Sequence, residues 1–175
     1  MRRKIISLVL IFACFLFQST LWNVFSFSDI KPNLMLILVV SFAIMHGSRT
    51  GMWMGFLSGL LTDLLYGDIF GINALLFMVM GYLIGKMYQV FFDEDIRVAI
   101  IAAGICDLLY NVVYFIIKFA FGIRYDFLAY FGHRIVPEII YTLILTVILY
   151  RPFYLINRKL QAHEREEQDS PWLLK

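Results

Sequence analysis

With 175 residues, 61% of them hydrophobic and only 16% charged, the chain is far more apolar than a water-soluble domain, where roughly 45–50% is usual. That balance excludes an ordinary soluble domain, and a formal net charge of +2 is too small to argue for nucleic acid or an acidic substrate. In an integral membrane protein the position of each charge carries the information instead.

Met1-Arg2-Arg3-Lys4 followed by an apolar stretch has the form of a secretory signal. No small-x-small cleavage site closes it, and the apolar stretch runs on to Phe25, about the 20 residues that a spanning helix needs. The first predicted element is therefore a retained helix over 5–25. Ile11-Phe12-Ala13-Cys14 is a poor lipoprotein site, because Phe12 is bulky and Cys14 sits in mid-run.

A polar break at 26–32 leads to a short second span at 33–46, with Pro32 suited to the first turn of a helix. Gly47-Ser48-Arg49-Thr50 separates it from a third span at 51–66. Gly67-Asp68-Ile69 is a tight turn into a fourth at 70–89. Turns this brief make neighbouring helices antiparallel. After Asp93-Glu94-Asp95, a solvated turn, the fifth span covers 98–121, and a longer aromatic loop at 122–134 precedes the sixth at 135–150. The sixth extends to 156 if Arg151 snorkels. The expected fold is an all-α, polytopic membrane bundle of six transmembrane helices over 1–156, with a polar cytoplasmic tail at 157–175.

Placing the N-terminus in the cytoplasm puts Arg2, Arg3, Lys4, Arg49, Lys86, Arg97, Arg151, Arg158, Lys159, Arg165 and Lys175 on the inner side. Of the 15 basic residues only Lys31, Lys118, Arg124 and Arg134 then face outward. This asymmetry favours both termini inside. An odd number of spans would carry Arg151, Arg158 and Lys159 to the outside.

On the third span Gly51, Gly55, Gly59, Thr62, Asp63 and Tyr66 share one face at 100° per residue. On the fourth, Gly71, Ala74, Met78, Gly81 and Gly85 do the same. Two helices joined by a tight turn can then approach backbone to backbone, and helix packing is the simplest use of such faces. Asp63 lies about one turn from the outer end, within reach of a loop backbone or of Arg134, where a structural role suffices.

Asp107 differs, because it falls near the middle of the fifth span, where a charge costs on the order of 3 kcal/mol. Either it is protonated or it has a partner. Ala103, Asp107, Asn111, Tyr114 and Lys118 recur at helical spacing as a polar stripe from mid-membrane to the outer surface. The stripe reads either as a polar cavity or partner-docking face, or as an internal hydrogen-bond network. The aromatic loop reads as an interfacial belt or a partner platform.

Reactive patterns are missing. Cys14 and Cys106 belong to no spaced ligand set, and His46, His133 and His163 are scattered over different depths. Gly81-Tyr82-Leu83-Ile84-Gly85-Lys86 is one residue short of a phosphate loop. No Ser/His/Asp set or carboxylate pair stands out, so no enzyme, cofactor or metal is expected.

The order of basic start and first span, Lys31-Pro32-Asn33-Leu34, Gly55-x-x-x-Gly59-Leu60-x-x-Asp63-Leu64-Leu65-Tyr66-Gly67, and Phe70-Gly71 before an apolar helix resembles the rod shape-determining protein MreD family. The resemblance spans nearly the whole chain, and its specific part is Pro32, Asn33 and the stretch 55–71. It implies a non-enzymatic subunit of the bacterial elongation machinery in the cytoplasmic membrane, beside MreC, MreB and the RodA/transpeptidase synthase. It also implies a bundle similar to the S subunits of energy-coupling-factor transporters. Pro32, Asn33, Gly55, Gly59, Asp63, Gly67 and Gly71 come with it as motif positions of structural or interface importance, and the glycine faces leave a homodimer open.

The shared architecture supplies a rival, a vitamin-binding S subunit. Those subunits resemble one another in an Ala-x-x-x-Ala signature in the first helix, where this chain has only Ala13. Asp107, Asn111 and Arg134 would line a small pocket in that reading. A lipid-handling role rests on the Asp107 stripe alone.

Overall fold

The computed structural model describes residues 2–24, 32–67, 69–88, 96–121 and 131–169, with the side chains of 2–5, 21–24, 133–134 and 160–169 outside the description. All regular structure among the described residues is helical. The helices are α1 (Arg2–Val24), α2 (Leu34–His46), α3 (Ser48–Tyr66), α4 (Ile72–Tyr88), α5 (Ile96–Ala120) and α6 (Val136–Asp169). A π-helical turn, Phe131–Ile135, leads into α6. The Asp93-Glu94-Asp95 break, the aromatic loop at 122–130 and the Arg134 side chain lie outside the described residues.

Two stretches, Ile96–Ala120 and Val136–Lys159, are long and apolar enough to cross a membrane. Ile6–Thr20, Leu34–His46 and Ile72–Met87 are apolar but shorter. The outer surface carries large apolar side chains such as Phe17, Leu83, Ile101 and Ile148, each about half or more exposed, as lipid contact requires.

The shortest helix is the centre of the molecule. Every residue of α2 from Leu34 to Met45 is buried, and α2 touches each of the other five α-helices. A helix apolar on all sides belongs inside a bundle. At about 1.5 Å per residue its 13 residues fall short of a hydrocarbon core roughly 30 Å thick. Because it is sheathed in protein, it does not have to match the lipid by itself.

The expected use of Pro32 inside the first turn is replaced by a different start. Asn33 is the N-cap, its side chain accepting from the Leu36 N–H at 3.1 Å, and Pro32 lies one residue before it, accepting from Leu34 N–H at 3.2 Å. At the other end, the single residue Gly47 joins α2 to α3 with a φ of +82°, a conformation open to glycine and strained for other residues.

The last helix also departs from expectation. It continues through Pro152 to Asp169, so residues expected to form a tail are helical as far as the description extends. Pro152 costs one backbone bond, but Arg151 and Pro152 are exposed on the helix surface while Tyr150 and Phe153 hold the inner side. The gap is therefore not buried in the core.

Candidate functional site

Three structural features meet at the end of the bundle where α1, α3 and α5 finish and α2, α4 and α6 begin. The first is the α3–α4 seam. A Cβ placed on Gly51 would strike the Gly81 carbonyl and Ala43, one on Gly55 would strike the Phe77 carbonyl, and one on Gly59 would strike Asn73 and Ala74. Gly85 meets the backbone of Gly47 and Ser48 in the same way. The two glycine faces thus pack backbone on backbone, the contact that small residues permit in a membrane bundle.

Gly71 does not belong to that seam. A Cβ there would meet nothing within 4 Å, but its φ is +95°, so it supplies the turn into α4 and not the close approach. Gly67 has an ordinary φ of −77°, and its space is taken by Asp63, whose carboxylate oxygen would lie 2.9 Å from an added Cβ.

Asp63 sits at the end of the seam, 3% exposed. Its two oxygens accept from the N–H groups of Asn73 at 3.1 Å and Ala74 at 2.8 Å. These are orphan donors of the first turn of α4, and the negative charge faces the positive end of that helix. The partner is the backbone of a helix turn, where the sequence pointed to a loop backbone or Arg134. Tyr110 on α5 extends the arrangement, donating to the Asn73 side chain at 2.7 Å and packing on Phe77 with ring centroids 5.3 Å apart.

The second feature is the clamp on the start of α2. Gln18 of α1 accepts from the Met35 N–H at 3.1 Å, and the Thr142 hydroxyl of α6 accepts from the Asn33 N–H at 3.5 Å. A helix end buried in protein must be satisfied by side chains, because water does not reach it.

The third feature is the polar stripe of α5. Ala103, Asp107 and Asn111 are buried, while Tyr114 and Lys118 are half-buried towards the end, with the Lys118 ammonium 4.9 Å from the Tyr114 ring centroid. Asn111 donates to the Asp107 backbone carbonyl at 3.0 Å. Across the interface α6 presents Glu138, Thr142 and Thr146 at four-residue spacing, all buried. Both carboxylate oxygens of Asp107 lack a hydrogen-bond partner among the described residues.

Pro32, Asn33, Gly55, Gly59, Asp63, Gly67, Gly71, Asp107 and Asn111 therefore divide into groups: the seam and its end, the start of α2, and the α5 stripe. Sequence reasoning missed Gln18, Asn73, Tyr110 and the α6 polar face. Gln18 is an amide well inside the first apolar run, and Glu138-x-x-x-Thr142-x-x-x-Thr146 is a visible helical spacing. Either signal was available. Towards the opposite end His46 stacks on Phe42 at 5.3 Å, with both ring nitrogens buried and without a hydrogen-bond partner among the described residues. Among the described residues no group of three or more His, Cys, Asp or Glu is placed to hold a metal ion, and Cys14 and Cys106 are free thiols.

The model of the family described as rod shape-determining protein MreD matches residues 1–160, which takes in α1 to α5 and most of α6. The chain belongs to the MreD family. No curated protein and no solved structure shows significant similarity to it. MreD membership makes this a rod shape-determining membrane protein. The apolar α5 and α6 agree with that location.

Proposed function

We propose that this MreD-family chain is a non-enzymatic subunit of the bacterial cell elongation complex. It crosses the cytoplasmic membrane six times with both termini inside, binds MreC, and so couples lateral peptidoglycan synthesis to rod shape. MreB and the RodA/transpeptidase synthase act in the same complex. The observation that carries the reading is the family match over residues 1–160.

The fold supports it in two ways. The α3–α4 seam and the sheathed α2 make a stiff core suited to holding a partner in place. The basic residues cluster on the side assigned to the cytoplasm. The compact six-helix arrangement would be of the same kind as an energy-coupling-factor S subunit.

Depletion in a rod-shaped host should round the cells, and tagged protein drawn from mild detergent should bring MreC with it. Normal rods after clean deletion, with no second copy and no MreC in the eluate, would refute the proposal.

A further inference from the structure

At the end of the bundle where α5 begins and the apolar part of α6 finishes, the cations have no acid to meet. Arg97 on α5 and Arg151 and Arg158 on α6 are exposed, and none of them is in an ion pair among the described residues. The carboxylates among the described side chains are Asp63, Asp107 and Glu138, all buried. Asp63 and Glu138 belong to the opposite end, and Asp107 stands ten residues along α5 from Arg97. Asp93, Glu94 and Asp95 precede α5 outside the described residues.

Helix register brings the three arginines to one groove. α5 and α6 are antiparallel, and a Cβ on Gly104 would lie 3.1 Å from the Leu143 side chain, so these two positions stand opposite each other. Arg97 lies seven residues before Gly104 and Tyr150 seven after Leu143, an equal rise of about 10 Å, which sets Arg97 level with Tyr150 and Arg151. At 100° per residue Arg97 falls within about 20° of the Gly104 face, while Arg151 and Arg158 fall about 80° and 60° from the Leu143 face. The opposite rotation from Leu143 carries the buried Thr146, Tyr150 and Phe153, so both α6 arginines turn to the outer side of the α5–α6 contact.

Further into the bundle the same groove is apolar. Ile101 and Leu108 of α5 and Ile144 and Val147 of α6 are exposed along it, and Gly104 between them contributes no side chain. Arg151 stands about two turns inside the apolar end of α6 at Lys159. A lipid-facing guanidinium at that depth is costly until an anion reaches it. An acidic protein segment would match the charge and leave the apolar groove unused. A phospholipid matches both, with its phosphate at the arginines and its chain below them.

We propose that the outer α5–α6 groove binds an anionic phospholipid, its phosphate held by Arg97 and Arg151 with Arg158 at the rim, and one acyl chain lying along Ile101 and Val147. Its place in the inner leaflet rests on the topology proposed above, whereas the binding itself does not.

The test uses the full chain in mild detergent, titrated with dioleoylphosphatidylglycerol or dioleoylphosphatidylcholine and followed by native mass spectrometry. Phosphatidylglycerol should be retained at one per chain under conditions that strip phosphatidylcholine. A cation beside an anionic headgroup changes affinity about fivefold, so Arg97→Gln and Arg151→Gln should each weaken retention by that factor and the double variant by roughly 25-fold. Arg49→Gln and Lys86→Gln remove the same charge from exposed positions on α3 and α4 and should leave retention unchanged. Thermal midpoints without added lipid identify a variant that has lost its fold, and the comparison of the two lipids on the wild-type protein depends on no variant. Equal retention of both lipids, equal losses in all four single variants, or no loss in the double variant would each overturn the site. Displacement of the lipid by glycerol 1-phosphate or by a soluble polyglutamate peptide would assign the arginines to a free anion or to an acidic protein segment, and would overturn it too. Binding in detergent is independent of orientation and of MreC, so failure of the proposed function and failure of this site are read separately.

Discussion

The Asp63 carboxylate accepts from two N–H groups of the first turn of α4, and its charge faces the positive end of that helix. Hydrogen bonds to a charged acceptor are worth about 1.5–3 kcal/mol each, and a buried donor left without a partner costs more than the bond alone. Asp63→Ala should therefore lower the thermal midpoint of purified protein substantially. Asp63→Asn should fall between the two, since its amide oxygen accepts from one N–H while its NH2 group faces the other. Equal midpoints for all three proteins would show that the cap carries no stability. The importance of Asp63 was legible from its place at the end of a glycine face. Its partners were not, because a donor pair on the next helix depends on how the chain enters α4, where Gly71 takes a φ of +95°. Gln18 and Thr142 stood out by pattern, but their role did not, since they matter because α2 begins inside protein.

At the scale of elements, the glycines divide by what stands opposite them. Gly55 faces the Phe77 backbone, which has no rotamer to change, whereas a Cβ on Gly104 would lie 3.1 Å from the Leu143 side chain, which can turn away. Gly55→Ala must push α3 from α4 and should cost about 1–3 kcal/mol, the range for overpacking a tight interface. Gly104→Ala should stay within about 0.5 kcal/mol. Midpoints and the amount of folded protein recovered from membranes check this contrast, and similar losses for both would deny that backbone contact sets the seam. The elements themselves were largely readable: periodic glycine faces and short polar breaks placed the first five helices and the start of the sixth to within a few residues. Two boundaries differ for physical reasons. Asn33 outcompetes Pro32 for the start of α2 because its side chain can cap, and α6 runs beyond 156, having passed Pro152, as the longer of the two expected sixth spans does, with the lost bond on its exposed side.

For the molecule as a whole, the shortness of α2 is no obstacle to the six-span topology proposed above, because a helix surrounded by five others needs no lipid-matched length. The proposed topology then assigns sides: Gly132, exposed before α6, faces outward, while Arg49 at the start of α3 and Arg158 near the end of the apolar part of α6 face the cytoplasm. In a background with Cys14 and Cys106 replaced, a membrane-impermeant maleimide added to intact spheroplasts should label Gly132→Cys and leave Arg49→Cys and Arg158→Cys unlabelled until the membrane is opened. Labelling of Arg49→Cys from outside would invert the bundle. Labelling of Arg158→Cys without Arg49→Cys would remove one crossing between them, and with it the even span count on which the charge asymmetry depends.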